Sequence, residues 1–143
     1  MEMFLPVEST VDAVHEFIAL MNEPFLKDTH DPSVYLSVMV RYIKADDIAL
    51  SPMRGRDSAV LSIIVVGDGE TTGDQAEFDR YAQTLEALCQ REYEGRPHWG
   101  KRNSAKKDYI SRAYTDGYDE FVAVRAAMDP DHLFSNDYLD QRL

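Results

Sequence analysis

The chain has 143 residues, enough for one domain with a real core and too few to expect two. Hydrophobic residues make up 44% and charged residues 29%, an ordinary composition for a soluble globular protein. With 15 Lys and Arg against 26 Asp and Glu the formal net charge is −11, which argues against nucleic acid or an anionic membrane surface as a partner.

No run is apolar for long enough to span a bilayer, and no N-terminal stretch has the pattern of a secretory signal. Cys89 is the only cysteine, so no internal disulfide can form. The expectation is a soluble, cytoplasmic chain.

Met1 to Val7 reads as a short strand, with Met3 and Leu5 on one face and Phe4 on the other. Ser9 is a candidate N-cap, with Asp12 three residues on. Val11, Val14, Ile18 and Met21 recur at helical spacing and predict an amphipathic helix over about 10–22. His15 lies beside that stripe and reads as a packed histidine. Pro24 and the run Lys27-Asp28-Thr29-His30-Asp31-Pro32 predict a loop.

Val34 to Ile43 is rich in Val, Tyr, Met and Ile and suits a strand. Lys44 to Asp57 is a connection carrying Asp46-Asp47, Pro52 and Gly55. Ser58 to Val66 is almost continuously apolar, which predicts a central strand covered on both faces. Gly67-Asp68-Gly69 and Gly73 punctuate a loop. Asp74 then caps the longest predicted helix, about 74–91, whose buried stripe is Phe78, Tyr81, Leu85, Leu88 and Cys89. On that stripe Cys89 reads as a core residue rather than a nucleophile.

Residues 104–113 and 118–128 look helical, the second with Phe121, Val124, Arg125 and Met128 on one side. Asp129-Pro130 stops it. The last segment, His132 to Leu139, is apolar and aromatic without a helical or strand period. The order of elements predicts an α+β domain, an antiparallel sheet covered by helices, with the two central strands as hairpin neighbours.

The stretch Arg96-Pro97-His98-Trp99-Gly100-Lys101 sets an imidazole, the single indole and an ammonium within four residues at a turn. Such a group suits a site that handles polar, hydroxyl-bearing carbon compounds. Each member also has a plainer reading. His98 can be a loop histidine bonded to backbone, and Lys101 one surface lysine in a basic run with Arg102, Lys106 and Lys107. Trp99 reads as packing beneath the turn rather than touching a ligand. Arg41 can form a strand-end salt bridge with Asp46 or Asp47. No metal site is expected, because His15, His30, His98 and His132 show no paired ligand spacing.

Four stretches carry a family resemblance: Arg41-Tyr42-Ile43-Lys44-Ala45-Asp46-Asp47 followed by Leu50-Ser51-Pro52; Gly55-Arg56-Asp57-Ser58; Arg96 to Lys101; and Asp129-Pro130 through Phe134, Asn136 and Leu139. In this order and spacing they cover nearly the whole chain. It resembles the C-terminal, substrate or cap part of the sugar-1,4-lactone oxidases and alditol oxidases, flavoenzymes of the vanillyl-alcohol oxidase type.

The resemblance implies an FAD-dependent oxidation of a sugar-1,4-lactone or alditol, with FAD held by an N-terminal domain that nothing here resembles. A single cap domain over 1–143, with a tail from about 129 that packs on that flavin-binding domain or subunit, is what it implies for the architecture. By resemblance Arg41, Lys101 and His98 are catalytic, Ser62 and Met39 face the substrate, and His98 and Asn136 meet the cofactor. The implied partners are a flavin-binding domain or subunit and a small polyhydroxy substrate.

Without that domain the chain is expected to be inactive and to expose Phe134, Tyr138 and Leu139, a patch that invites self-association. One departure stands out. The family has Glu two residues before the strand arginine, and here that position is Met39. A methionine takes no proton and pairs with no guanidinium, so a non-catalytic α+β binding module derived from the family is the alternative.

Overall fold

The structure, a computed structural model, describes residues 1–23, 35–66 and 72–143. The predicted loop at Pro24 and Lys27–Pro32, with His30, and the glycines of 67–69 lie outside them.

Strand β1 (Glu2–Pro6) leads through a 3-10 turn (Val7–Ser9) into helix α1 (Thr10–Met21). Strands β2 (Tyr35–Ile43) and β3 (Ser58–Val66) follow, then α2 (Thr72–Glu92) and the two-residue β4 (Arg96–Pro97). Helices α3 (Lys107–Tyr114), α4 (Asp116–Met128) and the one-turn α5 (Asp137–Asp140) complete the order. The sheet is antiparallel with order β2-β3-β1-β4, so the fold is α+β and β2 and β3 are neighbours. No described helix is long and apolar enough to cross a membrane.

Strand β3 occupies the interior because both of its faces are apolar. Residues Ser58 to Ile63 are all buried, and only at Ile64 does the strand emerge into solvent. On one face Met3, Leu5, Leu61 and Ile63 pack against Phe17 of α1 and Tyr81, Leu85 and Leu88 of α2. Full burial of a side chain such as Leu85 contributes roughly 1.5–3 kcal/mol.

The α2 stripe agrees with the sequence pattern, although the helix begins at Thr72 and so takes in Asp74 rather than being capped by it. In α1 the stripe is displaced in part. Thr10, Ala13 and Phe17 face the core and Val14 and Met21 pack at its edge, whereas Val11 and Ile18 are exposed. The 3-10 turn sets this rotation, with the Thr10 hydroxyl donating to the Val7 carbonyl at 2.6 Å. Ser9 is already in helical conformation, so its side chain makes no capping bond. His15 is exposed rather than packed, a consequence of the same rotation.

The two later helices start three residues later and two residues earlier than predicted, and their ends fall within one residue of the predicted bounds. On α4 the inward residues are Gly117 and Tyr118, and Phe121, Val124 and Met128 face outward. The final segment acquires a period only in α5, where the Asn136 side-chain oxygen accepts the Leu139 N–H at 3.0 Å.

Cys89 is fully buried in the first core. Burial pushes its thiol well above the ordinary range, and Glu86 adds to the effect. Iodoacetamide is expected to leave the native thiol unmodified at mildly alkaline pH and to alkylate it fully after unfolding, as intact mass would show. Modification of the folded chain at the rate of a free thiol would contradict the core assignment. The chain leaves α2 through a tight turn at Gly95, whose N–H donates to the Cys89 carbonyl at 2.8 Å. A Cβ at Gly95 would lie 2.6 Å from that of Cys89, so a larger residue cannot close this turn.

Candidate functional site

The face of the sheet opposite the first core carries the polar residues. Pairing places Met39 opposite Ser62, and Ser62 opposite Glu2, in one row across β2, β3 and β1. His98 extends the row, its N–H donating to the Glu2 carbonyl at 3.1 Å. The next row is Arg41, Val60, Phe4 and Arg96. Side chains alternate along a strand, so all eight residues share one face.

Arg41 reaches from β2 across β3 to Glu2, with Nη2 2.7 Å from Oε1. Beneath this bridge Ser62 is 1% exposed, and its hydroxyl has no hydrogen-bond partner. A buried hydroxyl without a partner is costly and signals a missing one. The His98 ring lies beside Phe4, and its Nδ1 accepts the Gly100 N–H at 3.0 Å. That bond assigns the proton of the neutral ring to Nε2. Nε2 is 3.9 Å from Glu2 Oε2, too far for a direct hydrogen bond, so this N–H is available to an incoming oxygen.

The turn that delivers His98 is built on arginine and tryptophan. Arg96 donates from Nε to the Ala113 carbonyl at 2.8 Å and from Nη1 to the Arg54 carbonyl at 2.7 Å, and it stacks on Tyr114. Arg56 joins the Phe4 and Glu94 carbonyls from the same side, and burial together with Arg96 lowers its guanidinium to about 10. Trp99 Nε1 donates to the Leu50 carbonyl at 2.7 Å, and its ring packs on Tyr114. The indole is thus part of the second core, with Ile110, Tyr114 and Tyr118.

The structure therefore brings Arg41, Ser62, Met39 and His98 to one face. Lys101 is exposed on the turn, bonded through its N–H to the His98 carbonyl, and pairs with no carboxylate among the described residues. Its charge is felt at the Met1 ammonium, at the Glu2 end of β1, which burial lowers, Glu2 raises and Lys101 lowers. Asn136 lies apart, its side-chain oxygen taken up as the cap of α5.

Arg41 does not pair with Asp46 or Asp47. Asp46 holds its own loop, accepting from Ser51 Oγ at 2.6 Å and from the Ile48 N–H at 3.2 Å. Glu2 is the residue that sequence reasoning missed. It sits in an ordinary strand of the pattern, and only the register reveals its neighbours.

A hollow of about 480 Å³ lies beside Trp99 and is lined by carbon, including Ile48, Leu50, Pro52 and Phe121. It offers no acid, base or cation. No group of three metal-binding side chains occurs among the described residues. The tail returns to the body: the Tyr118 hydroxyl donates to the Leu143 carbonyl and Arg142 Nη2 to the Asn103 carbonyl. Its outer side leaves Leu133 and Phe134 exposed.

The chain also has relatives in sequence. The D-arabinono-1,4-lactone oxidase family matches residues 1–142. An L-gulono-1,4-lactone dehydrogenase of Mycobacterium tuberculosis is 32% identical over 138 residues, which is 96% of this chain and 29% of that protein. L-gulonolactone oxidases of Scyliorhinus torazame and Bos taurus are 28% and 30% identical over 137 residues, again 96% of this chain and 29% of theirs. The chain thus spans 29% of the length of these relatives. With the match running almost from end to end, the chain belongs to the D-arabinono-1,4-lactone oxidase family.

Proposed function

We propose that the sheet face bearing Arg41, Ser62 and His98 binds a sugar-1,4-lactone or an alditol, as the substrate-holding part of an oxidoreductase. The buried, unpartnered Ser62 hydroxyl beneath the Arg41 bridge carries this reading. A ligand hydroxyl satisfies that group and removes its desolvation cost. The names of the relatives, a lactone dehydrogenase and lactone oxidases, supply the substrate class.

Arg41 has further N–H donors for the substrate oxygen, and the Nε2–H of His98 approaches from the other end of the row. Lys101, close by on the turn, would favour ionisation of the substrate hydroxyl through its positive charge. A bound flavin would supply the hydride acceptor for such an oxidation. His98 fits the reacting edge of such a ring. In this reading a flavin-bearing domain or subunit would hold the flavin's phosphates.

The exposed apolar side chains Val124, Met128, Leu133 and Phe134 are the surface for that partner. The same surface would drive self-association of the chain on its own, detectable as a concentration-dependent sedimentation coefficient. Met39 favours a second reading, binding without turnover, because it removes a carboxylate from the position two residues before Arg41.

Purification from the native source tests the proposal. A flavin absorbance spectrum and oxidation of L-gulono-1,4-lactone or an alditol are expected. A colourless protein that binds the lactone without oxidising it would establish the second reading. One that neither binds nor oxidises it would overturn both.

A further inference from the structure

We infer that Glu2 is the positioning carboxylate of this site, and that it sets a preference for a neutral polyhydroxy ligand over a sugar acid. The inference rests on the substrate class proposed above. Glu2 stands at the centre of the row, between Ser62 and His98, with its side chain only 14% exposed. Its Oε1 fixes Arg41 at 2.7 Å across the full width of β3. A free arginine side chain samples many rotamers, and this bond selects the one that lies over the orphan Ser62 hydroxyl.

Two other carboxylates beside the sheet, toward its opposite end, are committed. Asp57 accepts from Lys44 and from the Ala45 N–H, and Glu94 faces Arg56. Glu2 therefore supplies the negative charge that Met39 does not, from a different strand.

This placement has a consequence for ligand charge. A lactone or alditol hydroxyl can donate to Glu2 while accepting from Arg41 or from the Nε2–H of His98. A ligand carboxylate that reached Arg41 would meet Glu2 at hydrogen-bond distance and lose more from like-charge repulsion than it gained. Lys101 is exposed and outside the row, so its attraction for an anion is screened by solvent and salt.

Titration of the whole chain, observed by NMR, tests the inference. The probes are L-gulono-1,4-lactone and L-gulonate, its ring-opened acid, in mildly acidic buffer where the lactone opens slowly. In the wild-type chain the lactone is expected to move the Ser62 and His98 signals at concentrations where gulonate does not. In Glu2→Gln gulonate binding should strengthen by about tenfold or more and lactone binding weaken, because Arg41 is released. Adding Arg41→Gln to that variant should remove the gain.

The Arg41 Nη2–H signal gives a reading that needs no ligand: protected from exchange in the wild type, unprotected in Glu2→Gln. An unchanged lactone-to-gulonate ratio in Glu2→Gln, or an unchanged Arg41 signal, overturns the role of Glu2 and leaves the lactone site standing. If neither probe moves the row in the wild type, the proposed substrate class fails and this inference with it. Should Glu2→Gln not fold, Glu2→Asp serves. Rejection of gulonate with a loosened Arg41 supports the inference, and acceptance of gulonate overturns it.

Discussion

Gly117→Ala is expected to destabilise the protein by about 3 kcal/mol, the upper range for forcing atoms into a packed site. A Cβ built at Gly117 lies 2.1 Å from the Ala49 carbonyl oxygen and 2.8 Å from Arg54 Cδ. The first of these is backbone, so a rotamer change cannot relieve it. The loop that carries Ala49 is also unable to retreat. The Gly55 N–H donates to the Asp46 carbonyl, Ser51 Oγ to the Asp46 carboxylate, and Arg96 to the Arg54 carbonyl.

Helix α4 must move instead, and Tyr118 leaves the second core with it. The Trp99 bond to Leu50 sits on the same loop, so the histidine turn loosens as well. Thermal unfolding should show a midpoint lower by about 10 °C for a chain of this size. Gly100→Ala provides the contrast. Its added Cβ meets only the His98 ring, at 3.4 Å, and its midpoint should stay close to wild type. Equal midpoints for Gly117→Ala and the wild type would mean that the close approach of α4 to the loop is wrong.

That approach could not be read in the sequence, and the reason is general to this chain. Strand β3 and helix α2 were legible because each buries a long periodic or continuous apolar run, so the pattern dictates the element. Helix α1 was legible as a helix but not in its rotation. Val11, Val14 and Ile18 outweigh Thr10 and Ala13 in any hydrophobic count, yet small residues allow the helix to sit close to the sheet, and Phe17 then fills the space.

The site divides the same way. Arg41 and His98 were proposed from motifs, which are local in sequence, and Ser62 from its strand position in the family resemblance. Glu2 has no motif and acquires its place only from the register that sets it opposite Ser62, 60 positions on. The plainer reading, that Arg41 pairs with Asp46 or Asp47, failed for a related reason. Nearness in sequence favoured them, but Asp46 is consumed by the backbone and hydroxyl donors of its own turn.

Arg41→Ala should have the largest effect on function and almost none on the fold. Arg41 is 47% exposed, and its bond to Glu2 is a surface ion pair, worth at most about 1 kcal/mol. The melting midpoint should therefore shift little. Ligand binding should suffer far more, because the guanidinium bonds across the sheet face to Glu2 and the Ser62 hydroxyl lies beneath that bridge. The protein purified with its flavin should lose about 10²–10³-fold in kcat/KM for the lactone, the range seen when a fixed donor to a developing oxyanion is removed.

Arg41→Lys should recover only part of this, since an ammonium restores charge without the planar fork that reaches both Glu2 and a substrate oxygen. A purely structural Arg41 would give the opposite pattern, a lowered midpoint with kcat/KM intact in the surviving folded protein. Unchanged turnover in Arg41→Ala would remove this face of the sheet from the reaction altogether. The exposed apolar surface of α4 and the tail would then stand as a module that docks and does no chemistry.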